Sequence, residues 1–272
     1  MLLNRKADLA YPLYPASLHL IERIALRRKS IPGFCPICGH FTKMIEWDSN
    51  LRETGLCENC HSINRHRQIA YVLCASLNEW HGAIYHSINS NKKLSDLSIY
   101  HTQTTGPIHD YLSRYEGYVC SEYFGEEYAP GELVNGFRHE DLTGLSFPSE
   151  TFDIIISSDV FEHIPKPYTA HEEVFRVLKP GGRHIFTVPF HQTMFSDDIR
   201  AVSVEGEPDF LKPPIYHFDP LRSEGALVYT IFSVGMLSKL EDIGFRTHMY
   251  LLYHPTLGIL GANGLVFEAI KE

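Results

Sequence analysis

The sequence holds no uninterrupted apolar run that approaches the roughly 18 to 20 residues needed to cross a bilayer, so a membrane-spanning reading is excluded. Its first residues, MLLNRKADLAYPLYP, lack the apolar stretch and small-residue cleavage site of a secretory signal. There is no N-x-[ST] glycosylation acceptor, no H-x3-H or H-E-x-x-H arrangement among the histidines, and no internal repeat. These absences predict a soluble, cytoplasmic chain with no second histidine-rich metal motif. Positive charge is also in short supply. Twenty-four Lys and Arg against 33 Asp and Glu leave a net charge of −9. A protein that grips nucleic acid through its phosphates carries a basic face, so the composition disfavours nucleic acid and favours a small-molecule partner. The basic residues gather early, in Arg23, Arg27, Arg28, Lys29, Arg52, Arg65 and Arg67.

What is present is enough apolar residue, 44%, to bury a real core across 272 residues. Six cysteines fall into two groups. Cys74 and Cys120 stand alone in apolar surroundings and read as packed thiols. The other four form Cys35-Pro-Ile-Cys38 and Cys57-Glu-Asn-Cys60, with 18 residues between the pairs. That is the spacing of a four-thiolate zinc site, in which each C-x2-C turn aims two sulfurs at one ion. Four protein ligands close the coordination shell, so the expected Zn2+ is structural. A disulfide pairing is the weaker alternative in a cytosolic chain.

Hydrophobic periodicity predicts a helix over 17–29, stopped by Ser30-Ile31-Pro32-Gly33. A ribbon with a strand near Lys43–Trp47 follows, then a second helix over 62–77 whose Ile69, Val72, Leu73, Ser76 and Leu77 share one face. The polar stretch Ser87–Lys93 reads as a linker, which predicts an N-terminal module over 1–90 and a larger domain over 91–272. In that domain short strands near 97–100, 118–123, 152–158 and 183–189 alternate with helices near 107–115, 168–178 and 233–243, and strands 246–253 and 263–270 end the chain. The apolar run Phe152–Ser158 suits a central parallel strand buried on both faces. The fold class expected is α/β, an open and mostly parallel sheet.

Three pieces then carry a resemblance: Glu140-Asp141-Leu142-Thr143-Gly144-Leu145-Ser146-Phe147-Pro148, the run Thr151–Ile164, and Glu173-Val174-Phe175-Arg176-Val177-Leu178-Lys179-Pro180-Gly181-Gly182. In this order and spacing they resemble a class I S-adenosylmethionine-dependent methyltransferase over about residues 95–270. The preceding four-cysteine module resembles the N-terminal zinc ribbon of a subgroup. The resemblance implies a Rossmann-like sheet with the cofactor, S-adenosyl-L-methionine, beyond the carboxyl ends of its strands. It gives Glu122 the ribose hydroxyls, Asp141 and Leu142 the adenine edge, and Ser158 with Asp159 the methionine end and the transfer site. The family's glycine-rich turn is reduced here to Tyr100-His101-Thr102-Gln103-Thr104-Thr105-Gly106, so Thr102 and Thr104 stand where residues without a Cβ usually admit the cofactor, and only Gly106 remains. An oxygen acceptor needs a base near its proton, and the candidates are His163, His191 and His217, the last inside an acceptor-side insertion over about 192–232. The expected activity is methyl transfer to a small-molecule or glycan-type acceptor at oxygen. An RNA methyltransferase that uses the ribbon for RNA contact, and a catalytically inactive binding protein of the same fold, are the alternatives.

Overall fold

The computed structural model describes residues 16–82, 85–219 and 222–272. The N-terminal stretch read above for a signal lies outside the described residues. The chain divides into two compact units, one comprising Met1–Cys120 with His248–Glu268, the other Ser121–Thr247 with Ala269–Glu272.

In the first unit, helix Ala16–Arg28 ends where Ser30–Phe34 begins a strand antiparallel to Phe41–Ile45, which pairs in turn with the short Leu56–Cys57. This three-stranded ribbon carries the four knuckle cysteines, with Cys57 the last residue of its third strand. Its centre is Trp47, fully buried, with Nε1 donating to Met44 O at 2.9 Å. Gly55 is required beside it. Its φ is +74°, and a Cβ there would lie 2.4 Å from the indole ring. Helix Asn64–His81 follows and buries the expected face, with Ile69, Val72, Leu73 and Leu77 all at zero exposure. Gly82 in the left-handed conformation ends it. The polar stretch after it is pinned onto the first knuckle rather than left loose. Ile88 N donates to Pro36 O, Asn89 N to Ile37 O, and Asn89 Nδ2 to Cys38 O. Strands Ile99–His101 and Tyr118–Cys120 pair in parallel, joined through helix Pro107–Leu112.

In the second unit, Phe152–Ser158 pairs in parallel with Leu178–Thr187, connected by helix Pro167–Val177. Ile154, Ile155, Ile156, Val174, Val177, Ile185 and Phe186 form its core. Lys179-Pro180-Gly181-Gly182 stops the helix as expected, but it does not delay the strand until Arg183. The strand starts at Leu178, and the four residues are absorbed by a register shift between the Phe152–Leu178 and Ile154–Arg183 pairs. Gly181 takes φ +77° in that bulge. The expected insertion is built of β-hairpins, Ala201–Val204 with Glu207–Phe210 and Tyr216–Asp219 with Arg222–Leu227. Helix Gly235–Ile243 is ended by Gly244 at φ +115°. The last strands are Phe245–Leu251 and Leu265–Lys271. With its parallel pairs joined through helices, the chain has the expected α/β class.

Candidate functional site

The four knuckle sulfurs converge. Cys35, Cys38, Cys57 and Cys60 each offer an Sγ, all within 4.8 Å of one another, with Cys35–Cys60 at 3.7 Å and Cys38–Cys57 at 3.9 Å. A tetrahedral zinc with bonds of about 2.3 Å sets its sulfurs about 3.8 Å apart, so the group has the size such an ion demands. None of these sulfurs is in a disulfide. Ser62 Oγ lies 3.4 Å from Cys35 Sγ and 3.3 Å from Cys60 Sγ. Beneath it sits Arg67, fully buried, whose guanidinium donates to Ser62 O and, at 2.8 Å, to Gly258 O. Burial pulls its pKa down to about 10, against the opposing pull of the cysteine thiolates. A cation held there balances the negative charge of a four-thiolate centre. Arg65 is also spent internally, with Nη2 2.8 Å from Glu53 Oε2. Neither arginine belongs to an exposed basic face.

The residues assigned to the cofactor fall into two groups, one in each unit. In the first unit Thr102 and Thr104 are buried at 7% and 6% exposure. Thr102 Oγ1 is enclosed without a hydrogen-bond partner, the condition of an atom that a polar ligand would satisfy. Gly106 takes φ +93° ahead of helix Pro107–Leu112, and a Cβ added to it would meet nothing within 4 Å. The turn has therefore kept its one permissive backbone position beside open space. Beneath it His101 is buried, with Nδ1 2.9 Å from Tyr118 Oη. Desolvation, reinforced by His109, lowers its pKa to about 3.

In the second unit Glu122 and His139 form an isolated parallel bridge, with Glu122 N donating to Arg138 O and Glu140 N to Glu122 O. This brings the Glu122 and Asp141 segments side by side. Asp141 Oδ1 accepts from Thr143 N and Thr143 Oγ1, both at 2.8 Å, so one of its oxygens shapes the turn. Leu142 is buried, and Ser158 is the buried last residue of its strand. Asp159 follows at φ +52°, fixed by Thr187 Oγ1 donating to its Oδ1 at 2.8 Å and by its own N–H donating to Thr187 O.

The candidate bases separate. His191 lies on strand Phe190–His191, paired with Phe232–Ser233, outside any cluster of metal-type donors among the described residues. His163 and His217, 54 residues apart in sequence, come together with their rings edge to face at 5.1 Å. Between them is Glu162, which the sequence reading passed over. It is wholly buried, and Oε1 lies 3.6 Å from His163 Nε2 and 3.4 Å from His217 Nδ1. Desolvation pushes its pKa up, the facing imidazoles working against that. The one signal available beforehand was an acidic residue directly beside a histidine just past a buried strand. Glu140 was also missed, a buried carboxylate held by Arg138 Nε at 2.6 Å and by Ser146 N at 2.9 Å, and its role is to fix the loop that carries Asp141.

Residues 111–186 match the family described as a methyltransferase domain. Among curated proteins, an uncharacterised methyltransferase of Mycolicibacterium gilvum is 36% identical over 70 residues, 22% of this chain and 28% of that protein. The arsenite methyltransferase of Aquipseudomonas alcaligenes is 34% identical over 71 residues, 25% of this chain and 20% of that protein. These matches span between a fifth and a little over a quarter of the relatives' own lengths. A solved S-adenosylmethionine-dependent methyltransferase of Mesorhizobium loti superposes with a TM-score of 0.41 at 18% identity, covering 66% of this chain and 94% of that one. Residues 111–186 are thus similar to a methyltransferase domain, the one stretch of the chain that the family model covers.

Proposed function

We propose that this chain methylates an oxygen of a small-molecule or glycan-type acceptor and that its ribbon holds one structural zinc. The observation that carries the oxygen assignment is the grouping of Glu162 and His163, which begin three residues beyond Asp159, with His217. A hydroxyl must lose its proton as it is methylated. His163 donates its Nδ1–H to Leu227 O at 2.8 Å, which fixes the tautomer and leaves the Nε2 lone pair to receive that proton.

S-Adenosylmethionine would supply a methyl group already activated on a sulfonium, so the protein's work is orientation. Glu122 would hold the ribose hydroxyls, Asp141 Oδ2 and Leu142 the adenine edge, and Thr102, Thr104 and Gly106 the amino-acid end. Asp159, braced by Thr187, and Ser158 would border the transfer site. The threonine hydroxyls stand in for contacts that a glycine turn makes through its backbone. The internal use of Arg65 and Arg67 supports a small acceptor over RNA.

Calorimetric titration of S-adenosylmethionine tests the cofactor residues. Glu122→Ala and Asp141→Ala are each expected to weaken binding about tenfold or more, about 1.4 kcal/mol. Equal affinity in wild type and both variants would remove the assigned adenosine site.

A further inference from the structure

Glu162 presents a physical problem that the chain does not solve by itself. The side chain has zero exposure, and neither carboxylate oxygen has a hydrogen-bond partner among the described residues. A buried carboxylate is normally paired, hydrogen-bonded or bound to a metal. The groups facing it are two imidazoles at 3.4 and 3.6 Å. Charge-assisted N–H···O bonds run about 2.7 to 2.9 Å, so these contacts are too long for that. They are close to the separation of two donors on one metal ion. Bonds of about 2.0 to 2.2 Å in tetrahedral arrangement place neighbouring donors roughly 3.3 to 3.6 Å apart. One ligand atom from each of Glu162, His163 and His217 lies within 4.8 Å of the others.

The protonation pattern points the same way. With Nδ1–H of His163 donated to Leu227 O, its Nε2 turns a lone pair, not a proton, toward Glu162 Oε1. A backbone carbonyl that fixes a histidine in this way is the usual support of a metal-bound imidazole. The frame is rigid. Tyr229 N donates to Glu162 O at 2.8 Å, and His217 pairs with Ala226 in the hairpin that also supplies Leu227. Asp159 adds a second negative charge felt at Glu162.

We propose that Glu162, His163 and His217 form a mononuclear site for a divalent transition-metal cation of the zinc class, separate from the ribbon. Two imidazoles and one carboxylate select such an ion over magnesium or calcium, which prefer oxygen shells. Three protein ligands leave at least one coordination position for a water or an acceptor oxygen. With the ion bound, its Lewis acidity would activate the acceptor hydroxyl in place of the His163 lone pair, which is then engaged by the metal. The site itself stands on the geometry alone. Only the use of its open position by the acceptor rests on the methyltransferase reading, so a binding measurement separates failure of one from failure of the other.

The test is metal binding by the full chain with the ribbon loaded. After removal of loosely held metal, Co2+ is titrated in and its visible absorption followed, with Zn2+ as competitor. Wild type is expected to take one further equivalent with a nitrogen and oxygen spectrum, distinct from the thiolate-rich signature of the ribbon. His217→Ala and Glu162→Gln are each expected to weaken that equivalent at least roughly 100-fold while the ribbon keeps its one zinc per chain by metal analysis. His217 lies on a surface hairpin, so its alanine variant decides the matter even if Glu162→Gln does not fold. No further equivalent in wild type, or one that binds equally well in the variants, would overturn the proposal.

Discussion

Arg67 shows how a residue's charge can mislead when its position is unknown. In sequence it belongs to a basic cluster beside a metal knuckle and invites an RNA-binding interpretation. In the structure it has no exposure, and it satisfies the carbonyls of Ser62 and Gly258, the second 191 residues away. Nothing in a linear pattern distinguishes a solvated guanidinium from one that ties a ribbon to a distant turn. Replacing it tests the difference. Arg67→Met keeps most of the aliphatic stem but removes every donor, leaving two buried carbonyls unpaired at about 1 to 3 kcal/mol each. A loss of about 3 kcal/mol or more in urea unfolding is expected. An unchanged unfolding midpoint would mean that the guanidinium is not needed where it sits. Glu162 is the opposite case. Its neighbour His163 and the distant His217 were each legible as candidates, but their convergence depends on a hairpin register, which the spacing between them cannot express.

At the scale of elements, legibility followed the strength of the local rule. The knuckle cysteines were readable because two turns that aim four sulfurs at one point permit few spacings. The helix Asn64–His81 was readable because its buried face repeats with helical period. The start of strand Leu178–Thr187 was not, since Pro-Gly-Gly normally breaks a strand and here is taken up by a bulge whose partner, Phe152, lies elsewhere in the chain. The ribbon supplies a prediction at this scale. Its strands are short, Leu56–Cys57 having only two residues, so a zinc ion held there would carry much of its stability. Stripping zinc with a strong chelator should expose Cys35, Cys38, Cys57 and Cys60 to alkylation together. Cys74 should stay unreacted, because it is buried at 4% exposure and desolvation pushes its thiol up to about 12. Peptide mass mapping reads the outcome. Alkylation of the four without chelation, or of only one pair after it, would argue against a single shared ion.

The whole molecule carries a pH dependence that no element shows alone. His101, His171 and His184 are all fully buried, and desolvation lowers each pKa, to about 3 for His101 and His171 and well below the usual value for His184. The groups around them are mostly uncharged. Phe161 stacks on His171 at 4.2 Å, Phe186 on His184 at 4.5 Å, Ser157 Oγ is 2.8 Å from His184 Nε2, and Tyr118 and His109 adjoin His101. The folded chain keeps these imidazoles neutral where the unfolded chain, with pKa values near 6.5, protonates them. Between about pH 6 and pH 4 the unfolded state therefore binds more protons, and stability falls as pH falls. Each histidine contributes roughly 1.4 kcal/mol per pH unit, about 4 kcal/mol for the three. His171 isolates one share, since neither ring nitrogen has a hydrogen-bond partner. In His171→Leu, the decline in unfolding free energy per pH unit over that range should be shallower by roughly 1.4 kcal/mol, while stability at pH 8 changes only by the repacking against Phe161 and Phe186. Urea unfolding across that range measures both quantities. An unaltered slope would place the protons elsewhere, on carboxylates rather than on this buried ring.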